Sequence, residues 1–264
     1  DERVRAARLR GACLSNLLPS VASRLLGETP LLDVPRAARY VILLVDGLGW
    51  YPIAEHSHDS GLFAPRLGEA TRLTCTVPST TATSLTSLGC GSVPGSHGVV
   101  GYSFLDPNRS CVVNALTWAG GPVDIESFVC TPTLYQQMRS WGLTSGCVSL
   151  ARFKGSGLQR LAFGGTEHIG VDVEGDHRVF IGLVIGALRD HEVYAYERGL
   201  DHSGHAHGVG SWQWLDSLAR AEELVTGLLE KLPDDTCLLV TGDHGMVDVP
   251  EQHRITIEDH PDLM

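Results

Sequence analysis

An apolar run that ends in a single carboxylate constrains the fold of this chain more than any other feature. Residues 40–45 read YVILLV and are followed by Asp46, Gly47 and Gly49. A continuous run of β-branched and aliphatic residues is typical of a strand buried on both faces of a parallel sheet. Open α/β sheets place ligand sites at the carboxyl ends of their strands, where glycines allow sharp turns. Asp46 is therefore predicted to be either a site residue or a cap of the next helix.

Strand-like and helix-like segments alternate along the chain, which predicts an α/β fold with a mostly parallel central sheet flanked by helices. Strands are predicted at residues 40–45, 72–77, 111–117, 146–150, 192–196 and 236–241, the first and last of them buried. Helices are predicted at residues 3–26, 82–88, 133–141, 179–189 and 211–232, with a short helix or turn at 64–70. Residues 98–130 and 151–176 are glycine-rich and weakly patterned, so they are predicted to be loops or small insertions.

The charge balance limits the partners of the chain. Its 264 residues include 20 Lys+Arg against 31 Asp+Glu, which gives a net charge of -11. This balance argues against nonspecific binding to nucleic acid or to anionic membranes. Few basic residues stand near the predicted site, so bound metal cations are the natural source of attraction for an anionic substrate.

The seven cysteines are scattered and form no CxxC pair, which favours a reducing compartment over a disulfide framework. No apolar run approaches the length that spans a membrane. We therefore expect a soluble cytoplasmic protein, and the sequence predicts no oligomeric state.

Four polar clusters stand out, three of them directly after apolar strand-like runs. They are Asp46, Ser79-Thr80-Thr81, the segment from Asp201 to His205, and Asp243-His244. Each alone is explained by helix capping, by a turn or by solvation. Together they supply carboxylates and imidazoles, the ligand set of zinc and similar transition metals. Asp201 and His205 are four residues apart, which places them on one side of a helical turn.

Four segments in combination resemble the alkaline phosphatase superfamily, and most closely its nucleotide pyrophosphatase/phosphodiesterase branch. They read VDGLG, VPSTTATSLTSLGCGSVPGSHGVVG, DHSGHAHGVGS and TGDHGM, and they cover roughly residues 38–101 and 192–249 in the family's order. The resemblance implies a single alkaline phosphatase-like α/β catalytic domain over residues 1–264, which we expect to be incomplete at its C-terminus. It also implies metal-dependent hydrolysis of a phosphoric ester, favouring a nucleotide-like phosphodiester as the small-molecule substrate.

The resemblance assigns roles to individual residues. Thr81, three residues after Pro78, matches the nucleophile, which also contacts metal. Two divalent metal ions are implied, zinc in the first instance with manganese or iron as alternatives. The matching ligands are Asp201 and His205 for the first metal, and Asp46, Asp243 and His244 for the second. The metals would activate the threonine hydroxyl, and water would later hydrolyse a phosphothreonine intermediate.

Two positions depart from the family pattern. The family has an Asn three residues after the nucleophile, where this chain has Ser84, which is predicted to bind substrate with a different reach. The family also takes a third ligand of the first metal from a histidine far downstream of the Asp-His-Gly element. His253 and His260 lie too close to that element, so we expect this ligand beyond Met264.

Other functions share parts of this pattern. A phosphomonoesterase or a phosphonate hydrolase would use the same core, since insertions change substrates in this superfamily. A sulfatase is disfavoured because residues 75–79 lack a C-x-P-x-R arrangement, and a phosphoglycerate mutase-like enzyme would need Ser79 in place of Thr81. A non-catalytic metal- or nucleotide-binding module is the alternative from another class.

Overall fold

A parallel sheet of five strands forms the centre of the fold. The computed structural model describes residues 11–106, 109–120, 128, 131–189, 191–256 and 262. The strands are β1 (Arg39–Val45), β2 (Ser103–Asp106), β3 (Cys111–Asn114), β4 (Ser145–Leu150), β5 (Glu167–Val171), β6 (Glu192–Glu197) and β7 (Thr236–Thr241). The central sheet has the order β5-β4-β6-β1-β7 with every pair parallel, and β2 and β3 form a separate antiparallel pair. The predicted fold class is confirmed.

Helices cover both faces of this sheet. They are α1 (Leu17–Leu25), α2 (Trp50–Glu55), α3 (Thr81–Cys90), α4 (Pro94–His97), α5 (Leu134–Ser140), α6 (Gly157–Phe163), α7 (His177–Ala187), α8 (Gly199–His207) and α9 (Trp212–Leu229). Val41, Leu43 and Val45 pack in one core with residues of α7 and α9. The alternate residues Tyr40, Ile42 and Leu44 pack in a second core with residues of α1, α3 and α5. Because successive strand side chains point to opposite faces, burial on both faces requires the unbroken apolar run of β1.

Helix α3 places the hydroxyl cluster at the edge of the sheet. The side chain of Thr80 caps the helix by accepting a hydrogen bond from the backbone N–H of Thr83. The helix ends at Gly91, which has a φ of 60°, a left-handed conformation that glycine adopts without strain. The predicted start of this helix at hydroxyl residues is confirmed.

Several predicted elements differ in the structure. Residues 72–77 form no strand: Thr74 makes one isolated bridge to Cys13, and Val77 is 89% exposed. Strand β7 is half-buried because it lies at the edge of the described sheet. Of the predicted first helix, residues 3–10 lie outside the described residues, and the helical part begins with a 3-10 turn at Leu14–Asn16. Among the described residues, strand β7 pairs with one neighbouring strand, and Thr74 makes only a single bridge. An apolar run in the sequence does not show how many neighbouring strands it will have.

Regular structure occurs in the two segments predicted to be loops or insertions. Residues 151–176 contain α6 and β5, which pairs with β4 at the edge of the sheet. Residues 98–130 contain β2 and β3, while 107–108, 121–127 and 129–130 lie outside the described residues. The six described cysteines are free, and Cys130 is not among them. Within the described chain, we find no helix with the length and apolarity that a membrane crossing requires.

Candidate active site

Two glycine-containing turns at the carboxyl ends of β1 and β7 pack against each other and build the site. Gly47 has a φ of +76°, and a Cβ at this position would lie 3.2 Å from Cα of Asp201. A Cβ at Gly242 would lie 2.2 Å from the backbone oxygen of Leu48. Side chains at these positions would force the turns apart. The glycines therefore allow Asp46, Asp201 and Asp243, which lie on three different segments, to approach one another.

Asp46, Asp243 and His244 form a buried cluster of ligand-type atoms that all lie within 4.8 Å of one another. His244 Nε2 lies 3.4 Å from Asp46 Oδ1 and 3.4 Å from Asp243 Oδ2. Neither carboxylate oxygen has a hydrogen-bond partner among the described residues. The Nδ1 atom of His244 lies 3.0 Å from the backbone oxygen of Gly245, which can only accept, so Nδ1 carries the proton and Nε2 a lone pair. These atoms fit a divalent cation.

The electrostatics of the cluster also favour a cation. Burial raises the pKa of Asp46 well above its usual range, and the nearby charges of Asp243 and Asp201 raise it further. Burial likewise raises the pKa of Asp243 to about 6. The hydroxyl of Tyr196 donates to Asp46 Oδ2 and leaves Oδ1 facing the cluster. Buried carboxylates are costly without a compensating positive charge, which a bound metal ion would provide.

Thr81, the predicted nucleophile, lies beside this cluster. It is the first residue of α3, and its Oγ1 lies 3.1 Å from His244 Nε2. Thr81, Asp46 and Asp201 line one cavity of about 290 Å³. The hydroxyl therefore faces a space that can hold a ligand.

Asp201 and His205 face one another on α8, with 3.4 Å between Oδ1 and Nε2. The Asp201 side chain is 17% exposed and the His205 side chain 74% exposed. Asp201 Oδ1 has no hydrogen-bond partner within the described chain. This pair joins no group of three potential ligands among the described residues; His253 is exposed, and His260 lies outside them. Asp201 and His205 thus lie close together, and their role as ligands of a first metal ion stays a prediction.

Ser84 occupies a different environment from the one predicted for a substrate-binding residue. Its side chain is fully buried, and its Oγ lies 3.1 Å from Thr76 Oγ1. It does not line the cavity beside Thr81. Its role in substrate binding stays a prediction.

Tyr196, Arg152 and Arg198 also line the cavity, and the sequence did not predict them as site residues. The expectation of few basic residues near the site was wrong, because both arginines line the cavity that contains Thr81. Tyr196 pairs in register with Leu44, two residues before Asp46. Arg152 and Arg198 follow the carboxyl ends of β4 and β6. Ligand sites lie at the carboxyl ends of parallel strands, so the predicted strands 146–150 and 192–196 were a signal that these two arginines are candidate site residues.

Comparison with known proteins shows the family to which the chain belongs. Residues 40–263 match the family "Type I phosphodiesterase / nucleotide pyrophosphatase". The chain belongs to this family. Over 52 residues it is also 42% identical to the catalytic subunit of GPI ethanolamine phosphate transferase 3 from Mus musculus and from Homo sapiens. That match covers 20% of this chain and 5% of each relative.

The fold of this family member is similar to those of solved structures. Murine ectonucleotide pyrophosphatase/phosphodiesterase 5 superposes with a TM-score of 0.64 at 17% identity, over 84% of this chain and 61% of that one. An inactive threonine-to-alanine variant of the same protein, in complex with AMP, gives 0.62 at 16% identity with the same coverage. Phosphonoacetate hydrolase from Sinorhizobium meliloti 1021, in complex with phosphonoformate, gives 0.57 at 18% identity, over 81% and 59%. The chain thus spans about three-fifths of the solved chains that it resembles.

We expect the metal-free protein to lose stability as the pH rises from about 4 to about 6. An unfolded Asp titrates near 3.8, whereas folded Asp243 titrates at about 6. Between these pH values the folded protein holds a proton that the unfolded chain has released. The contribution of Asp243 to the free energy of unfolding is therefore complete below pH 3.8 and is lost as the pH passes 6.

The expected loss in the free energy of unfolding from Asp243 is about 3 kcal/mol, and urea denaturation in the presence of a chelator measures it. Asp243→Asn should remove the part of the loss due to Asp243 and leave the part due to Asp46, whose pKa burial also raises, whereas the exposed control Asp216→Asn should retain the full loss. An unchanged pH profile in Asp243→Asn would contradict the assignment.

Proposed function

We propose that this family member hydrolyses nucleotide-like phosphodiesters or phosphoanhydrides in a metal-dependent reaction with Thr81 as the nucleophile. The observation that carries the proposal is the position of Thr81 Oγ1, 3.1 Å from His244 Nε2 and on the wall of the cavity that Asp46 and Asp201 also line. Family membership supports the reaction class. The relative that crystallised with AMP is described as inactive when a threonine is replaced by alanine, which supports a threonine nucleophile here.

We propose the metal ligands from the donor atoms. Asp46, Asp243 and His244 would hold one cation, and Asp201 and His205 would contribute to a second. When bound, the cations would supply positive charge that favours the threonine alkoxide and stabilises the phosphoryl oxygens. Carboxylate and imidazole ligands favour zinc, with manganese or iron as alternatives.

The residues of the chain then have distinct tasks. Thr81 Oγ1 forms a bond to phosphorus while the bond to the leaving oxygen breaks, and water hydrolyses the resulting phosphothreonine. The N-terminus of α3 directs backbone N–H groups toward the phosphoryl oxygens. Tyr196 holds Asp46 by donating to Oδ2. The hydrogen bond from His244 Nδ1 to the oxygen of Gly245 keeps Nε2 free to coordinate.

The test compares a diester with a monoester that share one leaving group. We expect p-nitrophenyl thymidine 5′-phosphate to exceed p-nitrophenyl phosphate in kcat/KM by about tenfold or more. A chelator should abolish the activity, and added zinc should restore it. A preference for the monoester would favour the phosphomonoesterase alternative. Zinc binding without turnover of any phosphoester or phosphonate would favour a non-catalytic metal-binding module. The six cysteines within the described residues are free, which supports a reducing compartment, and a cytoplasmic location is part of the proposal.

A further inference from the structure

The cavity beside Thr81 has a second charged wall. Arg152 follows the carboxyl end of β4, and Arg198 follows that of β6. In the sheet order β4-β6-β1, β4 lies two strand spacings from the strand that carries Asp46, a separation of about 10 Å. Long arginine side chains can cross much of this distance. One cavity therefore joins a carboxylate end, suited to metal ions, to a guanidinium end, suited to an anion.

The ion pairs at the guanidinium end join two arginines to one carboxylate. Glu174 Oε2 lies 3.1 Å from Arg152 Nη2, and Glu174 Oε1 lies 3.5 Å from Arg198 Nη1. A single carboxylate thus serves two guanidinium groups, which together carry ten N–H donors. Glu197, which precedes Arg198, lines a second cavity together with Glu174 and Arg198 but not the cavity of Thr81, and its Oε1 accepts from the backbone N–H of Gly199. Burial raises the pKa of Glu197, and the Arg198 guanidinium partly opposes this effect. In a chain of net charge -11, two arginines on one cavity wall form a local positive region that an anionic ligand would complement.

Neighbouring groups hold both arginines in place. The guanidinium of Arg152 lies over the ring of Phe153, 5.3 Å from its centroid. Arg198 Nη2 lies 2.9 Å from His202 Nδ1. Glu174 also fixes the position of one guanidinium relative to the other. Such preorganisation reduces the entropy cost of binding an oxyanion.

We propose that Arg152 and Arg198 are specificity-determining residues that bind a second oxyanion of the substrate, beyond the phosphoryl group that Thr81 attacks. This inference rests on the proposed function. It favours phosphoanhydrides, such as a nucleoside diphosphate, over simple diesters that carry one charge. A carboxylate at the same place, as in a phosphonocarboxylate, presents the same oxyanion chemistry.

The test uses two substrates that both release AMP when attacked at the α-phosphorus. ADP carries the second oxyanion, and the methyl ester of AMP lacks it. We expect Arg152→Gln and Arg198→Gln each to lower kcat/KM for ADP by about tenfold, and for the methyl ester by less than about twofold. Arg220→Gln is the matched control because Arg220 pairs with Asp216 on the exposed face of α9. Equal effects on the two substrates, or no effect on ADP, would overturn the proposal.

A binding experiment separates this inference from the proposed function. We expect the zinc-loaded protein to bind pyrophosphate about tenfold more tightly than orthophosphate in calorimetry, and Arg152→Gln to remove this difference. Retention of the difference without any turnover would contradict the proposed function alone. Equal affinities in the unaltered protein would overturn the second oxyanion site. Titration with phosphonoacetate then shows whether a carboxylate replaces the second phosphate, as tight binding that depends on Arg152 would indicate.

Discussion

Replacement of Thr81 by alanine is expected to lower kcat by about 10³-fold or more while leaving fold and metal content unchanged. The change removes the only atom of this residue that can attack phosphorus, and the remaining groups can act only on water. Thr81→Ser keeps a hydroxyl at the start of α3 and should retain activity within about tenfold. The measurement is steady-state hydrolysis of the nitrophenyl diester, with zinc content determined on the same samples.

Thr80→Ala provides the matched control for this experiment. Thr80 precedes Thr81 and caps α3 through its side chain, so its loss should lower the free energy of unfolding by about 1 kcal/mol. Turnover should remain close to that of the unaltered protein, because we assign Thr80 no contact with substrate. If Thr80→Ala abolished turnover and Thr81→Ala did not, the position of the nucleophile would be wrong.

Asp243→Asn is expected to weaken zinc binding by about 10²-fold or more. The substitution removes a negative charge at a side chain with no solvent exposure. Its Oδ1 can still accept from the backbone N–H groups of Gly47 and His244, so the turn should be preserved. The variant should also be more stable than the unaltered protein when both are metal-free at about pH 7, because a buried uncompensated charge is gone.

Two measurements test the expected loss of zinc affinity and gain in metal-free stability of Asp243→Asn. Calorimetric titration with zinc gives the affinity, and urea denaturation in a chelator gives the metal-free stability. Asp216→Asn, on the exposed face of α9, should change neither quantity. A loss of stability in metal-free Asp243→Asn would indicate that the carboxylate has a structural role and would contradict a cation site at this cluster.

The local sequence predicted much of the fold because the decisive signals act over few residues. The apolar run of β1 and the hydroxyl cap of α3 each require only neighbours in the chain. The carboxyl ends of parallel strands share one edge of a sheet. For that reason Asp46 and Asp243, which follow two predicted strands, were expected at that edge, and the family resemblance assigned both to one metal ion. A hydrogen bond from Gly47 to Asp243, 196 positions later in the chain, joins the two turns.

Other features depended on contacts that no local pattern describes. Ser84 is three residues from Thr81 on the same helix, yet the packing of α3 buries its hydroxyl against Thr76. Strand β5 lies in residues 151–176, a segment that was predicted to be a loop or insertion because its hydrophobic pattern is weak. A strand at the edge of a sheet can carry polar residues at its exposed positions, which weakens that pattern. The lateral order β4-β6-β1 brought Arg152 and Arg198 to the cavity of Thr81.

By itself, the sequence determined the strand-and-helix alternation, the α/β class and the edge of the sheet at which the polar residues collect. Hydrophobic periodicity and capping fix these features through short-range interactions. Only the tertiary structure decided which side chains meet there: the Tyr196 hydroxyl on Asp46, His244 beside Thr81, and two arginines sharing Glu174. These contacts join residues far apart in the chain, and they follow from the order of the strands and the packing of the turns between them.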